Sequence, residues 1–222
     1  MLVIAHRGAS AREPENSIAA FRAAIDLGAD GVELDIHATA DGGLIVHHDD
    51  TVAGTNIPQS SLDSVRRHRL ANGEPVPMLG EVLDALGSDV TVFVEVKTLD
   101  STQDDCLLQV LRDAPSPARC HVHSFDHRIV HRLVARQEGL VGGVLSTSYP
   151  LNPLIQLEQS GATELWQNDH LVDDELIAAV HAIGLRIIPW TVDDPDRIAE
   201  LIDMGVDGVC SNEPDVVRKL LT

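Results

Sequence analysis

LVIAHRG, residues 2–8, sets an apolar run of buried-strand character directly against an imidazole, a fixed cation and a glycine that permits a sharp backbone turn. A strand that ends this way carries chemistry to one end of a sheet, and the pattern recurs along the chain. The candidate strands are LVIAH (2–6), GVELDI (31–36), TVFVEVK (91–97), CHVHS (120–124), GGVLS (142–146), ELWQN (164–168), RIIPW (186–190) and DGVCS (207–211). At or near their ends stand His6, Asp35, Lys97, Ser124, Ser146, Asn168, Trp190 and Ser211. Between them run helix-like stretches: SIAAFRAAIDLG, TQDDCLLQVLRD, HRIVHRLVARQEG, PLIQLEQSG, DDELIAAVHAIG, DPDRIAELIDMG and EPDVVRKLL. Gly28, Gly139, Gly161, Gly184 and Gly205 close five of them, where left-handed caps are expected.

Such alternation predicts an α/β fold, and eight strands predict a (β/α)8 TIM barrel, slightly below its usual size of about 250 residues. A doubly wound open sheet gives the same alternation, but it would spread the polar strand ends along an edge, whereas a barrel gathers them at one mouth. Residues 1–222 are expected to form a single domain, since no Pro/Ser/Gly-rich linker divides them. After the second strand, HATADGGLIVHHDDTV contains a turn at Asp41-Gly42-Gly43 and a strand-like LIVHH. This predicts a small hairpin excursion returning His47, His48, Asp49 and Asp50 to the mouth.

Composition narrows the function. The chain is 44% apolar, without any run near the roughly 20 apolar residues of a membrane span, and its first apolar run is too short for a signal peptide. A cytoplasmic protein without stable membrane insertion is expected. Cys106, Cys120 and Cys210 lack paired spacing, so reduced thiols are expected. With 16 basic and 35 acidic residues the net charge is −19, which disfavours nucleic acid and anionic membranes. The densest basic run, Arg66-Arg67-His68-Arg69, is short. An anionic substrate therefore needs positive charge built into the site, and no sequence feature sets an oligomeric state.

Glu33 and Asp35 lie two residues apart on a strand and project to one side, as do Glu95 and Lys97. Carboxylates clustered at strand ends without cysteine describe an oxygen-rich site for a hard divalent cation, Mg²⁺ or Ca²⁺, with Mn²⁺ as a further candidate. A salt-bridged barrel interior, with Lys97 neutralising one acid, is the other reading of the same residues. His6 and His48 both reach the mouth as a general acid and base. His121 and His123 share a face, one expected in the pocket and one packed. The Gly-x-Ser-x-Gly, P-loop and dinucleotide patterns are absent from the sequence, and His-Arg stands where a zinc amidohydrolase would have His-x-His. A hard cation, two imidazoles, Arg7 and Lys97 around one mouth suit attack at phosphorus.

HRGASAREPENSIAAFRAAIDLGADGVELDIHATADGGLIVHHDD resembles the opening of the glycerophosphodiester phosphodiesterase family: His-Arg-Gly, a Pro-Glu-Asn-Thr-like turn, Glu-x-Asp, Thr-x-Asp-Gly and His-Asp in order. The similarity continues through GEPVPMLGEVLDAL, FVEVK, Ser124-Phe125, Trp190-Thr191-Val192 and GVDGVCSNEP. The resemblance implies metal-dependent hydrolysis of small-molecule glycerophosphodiesters to sn-glycerol 3-phosphate and an alcohol on a (β/α)8 barrel. It makes His6 and His48 the catalytic pair, Glu33, Asp35 and Glu95 the metal ligands, and Arg7 and Lys97 the phosphate holders. Trp190 would wall the glycerol pocket with His123 nearby, while Glu15, Asn16 and Asp49 support the site. Departures from the family pattern are Ser17 for Thr, Gly54-Thr55-Asn56 for an Arg-Thr-Thr-like run, and Ser211-Asn212 for Thr-Asp. His123 stands where an uncharged polar residue is frequent. Alternatives are a related barrel phospholipase, of C or D type, acting on lysophospholipids, or a barrel that binds phosphodiesters without turnover.

Overall fold

The computed structural model describes residues 1–221. The apolar, β-branched runs form parallel strands, and the amphipathic stretches form the helices that cover them. In chain order the elements begin with β1 (Leu2–His6), α1 (Ile18–Asp26) and β2 (Gly31–Ala38). An excursion follows, comprising β3 (Leu44–Val46), β4 (Thr51–Val52), β5 (Thr55–Asn56) and α2 (Leu62–Val65), before α3 (Leu79–Leu86). Then come β6 (Thr91–Thr98), α4 (Asp104–Arg112), β7 (Cys120–Ser124), α5 (His127–Arg136), β8 (Val141–Ser146) and α6 (Ile155–Ser160). The chain ends with β9 (Glu164–Asn168), α7 (Asp174–Ala182), β10 (Arg186–Trp190), α8 (Pro195–Met204), β11 (Gly208–Ser211) and α9 (Pro214–Leu220).

The parallel strands run in the order β10-β9-β8-β7-β6-β2-β1-β11, the topology of a nearly closed eight-stranded barrel. The remaining seam, between β10 and β11, carries no ladder among the described residues. Main-chain bonds from Asp207 N to Ile187 O (3.1 Å) and from Val192 N to Cys210 O (2.9 Å) close it. The barrel expected from the sequence is therefore the fold.

Between the sheet and the surrounding helices lie the larger apolar clusters, including Phe21, Leu34, Leu107 and Leu133 on one side and Leu165, Ile187 and Leu201 on the other. A separate cluster of Ile4, Phe93, Leu145, Trp166, Ile188 and Cys210 fills the barrel interior. Each such large apolar side chain contributes about 1.5–3 kcal/mol on burial. The rings of Phe93 and Trp166 fit because two neighbours lack a side chain. A Cβ on Gly31 would lie 2.7 Å from Phe93, and one on Gly143 would lie 2.8 Å from Trp166. The five glycines expected to cap helices all have positive φ, and Gly161 and Gly205 are themselves the C-caps of α6 and α8.

The hairpin forms as expected, β3 pairing antiparallel with the end of β2 through Ile36↔Val46 and Ala38↔Leu44. Its strand stops at Val46, however, so His47 and His48 lie on the turn beyond it, where His47 N donates to Asp35 O (3.0 Å). The excursion has a small core of its own, Ile45, Val52, Ile57, Val65 and Val76. Helix α3, which is not among the helix-like stretches expected from the sequence, buries Leu79, Val82, Leu83 and Leu86, and Glu81 reaches back to Met78 N (2.9 Å). Among the described residues no helix is long and apolar enough to cross a membrane.

Candidate active site

Strand register sets the site before any side chain is considered. His6 is level with Glu33, Asp35 with Glu95, and Glu95 with His123. Residues paired in this way point to the same side of a sheet, so three neighbouring strands bring an acid, an acid and an imidazole into one row. His6, Arg7, Glu33, His48, Glu95, Lys97, His123 and Trp190 line a cavity of about 120 Å³. Asp35, fully buried, lies just beneath it.

The turn after β1 aims Arg7. Its φ of 55° and that of Gly8, 82°, are left-handed, which suits the glycine but strains the arginine. The turn directs Arg7 N to Glu33 Oε2 (3.1 Å), and the guanidinium meets Asp35 through Nε (3.1 Å) and Glu15 through Nη1 (3.0 Å). Asn16, also left-handed with φ 57°, donates from Nδ2 to Asp35 Oδ2 (2.8 Å), and its backbone N–H returns to Arg7 O. Glu15 and Asn16 thus brace the loop from behind.

Lys97 bridges two acids, 3.0 Å from Asp35 Oδ1 and 2.6 Å from Glu95 Oε1. Burial works against ionisation of Asp35, but the Lys97 ammonium and Arg7 guanidinium outweigh it and hold the carboxyl down at about 2. Glu33 is pushed up to about 7 and Glu95 to about 8, in each case by burial first and by the Asp35 charge second. These two carboxyls lack the positive charge that would let both ionise at neutral pH.

A divalent cation fits that deficit. One ligand atom each from Glu33, Glu95 and His123 lie within 4.8 Å of one another. Burial drives the pKa of His123 down to about 3, so its ring is a neutral donor, and its buried Nδ1 has no hydrogen-bond partner among the described residues. The grouping differs from the sequence expectation in two respects. His123, expected toward the substrate, stands with the two glutamates, while Asp35, expected as a ligand, is engaged by Arg7, Lys97 and Asn16. His121 is the packed member of its pair, bonded through Nδ1 to the buried Glu164 (2.9 Å).

Each candidate acid/base has its own anchor. His48 Nδ1 lies 2.9 Å from Asp49 Oδ1, and His6 Nδ1 lies 2.8 Å from Asn212 Oδ1, with His6 Nε2 4.0 Å from Glu33 Oε2. Trp190 walls the cavity edge-to-face with Phe125, ring centroids 5.4 Å apart. Sequence reasoning missed His37. Buried and held neutral by that burial, it contacts Thr98 Oγ1 (3.1 Å) through Nδ1 and donates from Nε2 to His48 O (3.0 Å), fixing the backbone of the His48 turn. Its position two residues beyond Asp35, on the strand paired with β3, was the available signal.

Comparison with known proteins gives the family and the fold. The family model for the glycerophosphoryl diester phosphodiesterase family matches residues 6–216. A glycerophosphodiester phosphodiesterase of Caldanaerobacter subterraneus subsp. tengcongensis is 31% identical, covering 99% of this chain and 97% of that protein. The crystal structure of a glycerophosphodiester phosphodiesterase from Parabacteroides distasonis superimposes with a TM-score of 0.90 at 28% identity, covering 99% of this chain and 96% of the other. An Oleispira antarctica phosphodiesterase, solved with the product sn-glycerol-3-phosphate, shares the fold with a TM-score of 0.88 at 22% identity over 98% and 95% of the two chains. With a match running from the first strand to the last helix, the chain belongs to the glycerophosphoryl diester phosphodiesterase family.

Proposed function

We propose that this protein hydrolyses glycerophosphodiesters to sn-glycerol 3-phosphate and an alcohol, acting in the cytoplasm on a dissolved substrate, with His6 and His48 as the acid/base pair. The observation that carries this reading is a single cavity lined by two separately anchored imidazoles, two cations and a pair of undercompensated carboxyls. Arg7 and Lys97 hold the phosphate. One imidazole takes the proton of the attacking hydroxyl, that of water or of the substrate's own glycerol, and the other gives a proton to the leaving alcohol as its P–O bond breaks. Water attack yields the products directly, whereas glycerol attack yields a cyclic phosphate that water then opens. Trp190 and Phe125 form an apolar wall for the glycerol carbons.

Glu33 and Glu95 are ligands of a divalent cation, Mg²⁺, Ca²⁺ or Mn²⁺, in both sets under consideration. His123 completes the set that lies within reach, and Asp35 completes the all-oxygen set expected from the sequence. When bound, the cation neutralises phosphoryl oxygen charge. The test is release of glycerol 3-phosphate from glycerophosphocholine and glycerophosphoethanolamine by EDTA-treated protein titrated with each ion. Ion-restored release is expected, and no release by folded protein with any ion would overturn the reading. Lysophosphatidylcholine belongs in the same assay, because Phe125, Tyr149 and Leu151 expose apolar surface on the loops after β7 and β8.

A further inference from the structure

Building on the assignment of His6 to the acid/base pair, we infer that Asp193, outside the cavity, decides which nitrogen of His6 faces the reaction, acting through Asn212. Asp193 lies in the loop between β10 and α8, and Asn212 directly follows β11. Asp193 Oδ1 accepts from Ser211 Oγ (2.8 Å) and Asn212 N (2.8 Å), while Oδ2 accepts from Asn212 Nδ2 (2.6 Å). An ionised carboxylate only accepts hydrogen bonds, so it fixes the Asn212 amide with Nδ2 toward Asp193 and Oδ1 toward Ser10 and His6.

Asn212 Oδ1 cannot donate, so His6 Nδ1, 2.8 Å away, carries the ring proton. Nε2, the nitrogen nearer Glu33, then presents its lone pair in the neutral ring. Ser10 Oγ, 2.8 Å from His6 O and 2.7 Å from Asn212 Oδ1, ties the same amide to the end of β1. Asp193 is solvent-exposed, so it works by the direction of short hydrogen bonds rather than by a long-range field.

Asp193→Asn inverts this chain. The backbone N–H of Asn212 requires an acceptor, so the new amide keeps its oxygen there and turns its NH₂ toward the Asn212 side chain. Two donors then face each other, the Asn212 amide flips, and a donor meets His6 Nδ1. The ring proton moves to Nε2, where a lone pair stood. In the exchange Asp193→Asn with Asn212→Asp, the carboxylate at 212 accepts from both the new amide and His6, and the original tautomer returns. Asp193 and Asn212 are accordingly positioning residues that act on His6.

The experiment is ¹⁵N NMR of the His6 ring at a pH where it is neutral, in Mg²⁺-loaded wild type, Asp193→Asn and the double exchange. It is run alongside kcat and KM on glycerophosphocholine. Expected are an Nδ1–H ring in wild type and an Nε2–H ring in Asp193→Asn. The single variant should lose about 10²-fold in kcat, within the range that general acid–base catalysis supplies, with KM little changed. The exchange should recover the Nδ1–H ring and most of the lost kcat. An Nδ1–H ring in Asp193→Asn, or turnover by it at the wild-type rate, overturns the inference. If wild type itself hydrolyses no diester, the functional reading falls, while the ring spectra still decide the role of Asp193.

Discussion

Replacing Lys97 with methionine deletes the ammonium that bridges Asp35 and Glu95 while keeping most of the side-chain volume. The side chain is 17% exposed, so solvent screens the loss weakly. Removing one member of a buried ion pair costs about 3–5 kcal/mol, because the partner's charge is left uncompensated. Arg7 remains 3.1 Å from Asp35, which places the expected loss at the lower end, about 3 kcal/mol near pH 8. That is a large share of a domain stability of about 5–15 kcal/mol.

The deficit should depend on pH with a definite sign. Asp35, held at about 2 against an ordinary 3.8, contributes stability above its unfolded value that is lost as the pH falls through the folded value. The variant forfeits part of that contribution progressively between about pH 2 and pH 4, and by a constant amount above that. Glu95, already raised to about 8 from 4.5, carries a cost that grows above its unfolded value until it ionises and then persists, and losing Lys97 moves that point higher. The deficit is therefore smallest in acid below about pH 2, levels off near pH 4 and grows again above about pH 8. Urea unfolding followed by far-UV circular dichroism in EDTA measures it, and Mg²⁺ should reduce it by replacing the missing charge. A deficit under about 1 kcal/mol near pH 8, or one that grows toward acid, would refute this account of Lys97.

His6→Ala and His48→Ala should each lower kcat by about 10²–10⁴-fold, with a double variant little worse than the poorer single one, as measured by glycerol 3-phosphate release. Metal affinity, followed by calorimetry, should rise with pH until Glu33 and Glu95 have ionised at about 7 and about 8, with proton release on binding below that range. His123 stays neutral throughout and adds nothing to that slope. A pH-independent affinity would show that these carboxyls do not bind the ion. Asp35→Asn and His123→Gln separate the two ligand sets: the residue that ligates should cost at least about tenfold in Mg²⁺ affinity when replaced, and the other should not.

The barrel was legible because its strands are short, β-branched and punctuated, so seven of the eight expected runs lie within one residue of the observed bounds and GVELDI extends two further, to Ala38. Residues 44–90 were harder. Pro75, Pro77 and Gly80 break the pattern around α3, and its apolar face shows only once packed against α1 and α4. At the site, alternation along a strand put Glu33 with Asp35 and Glu95 with Lys97. Register between strands is not written in either strand alone, and it is register that places His123 beside Glu95. Asn212 and His6 are 206 residues apart, and His37 reaches Thr98 across 61, so neither partnership leaves a local trace.

The seam between β10 and β11 gives the barrel the mechanics of a hoop with a clasp. Ladders rivet the other joints, whereas here two main-chain bonds and the Asp193 side chain hold the ends together. With fewer bonds, the joint is expected to have the lowest local opening free energy of the barrel wall, which faster amide exchange there would register. The outer part of the clasp is the same carboxylate that orients Asn212. Each opening of the hoop at this joint therefore releases the Asn212 amide from Asp193 while β1 and β11 stay riveted, so that the breathing of the wall and the orientation of the amide facing His6 lie along a single coordinate.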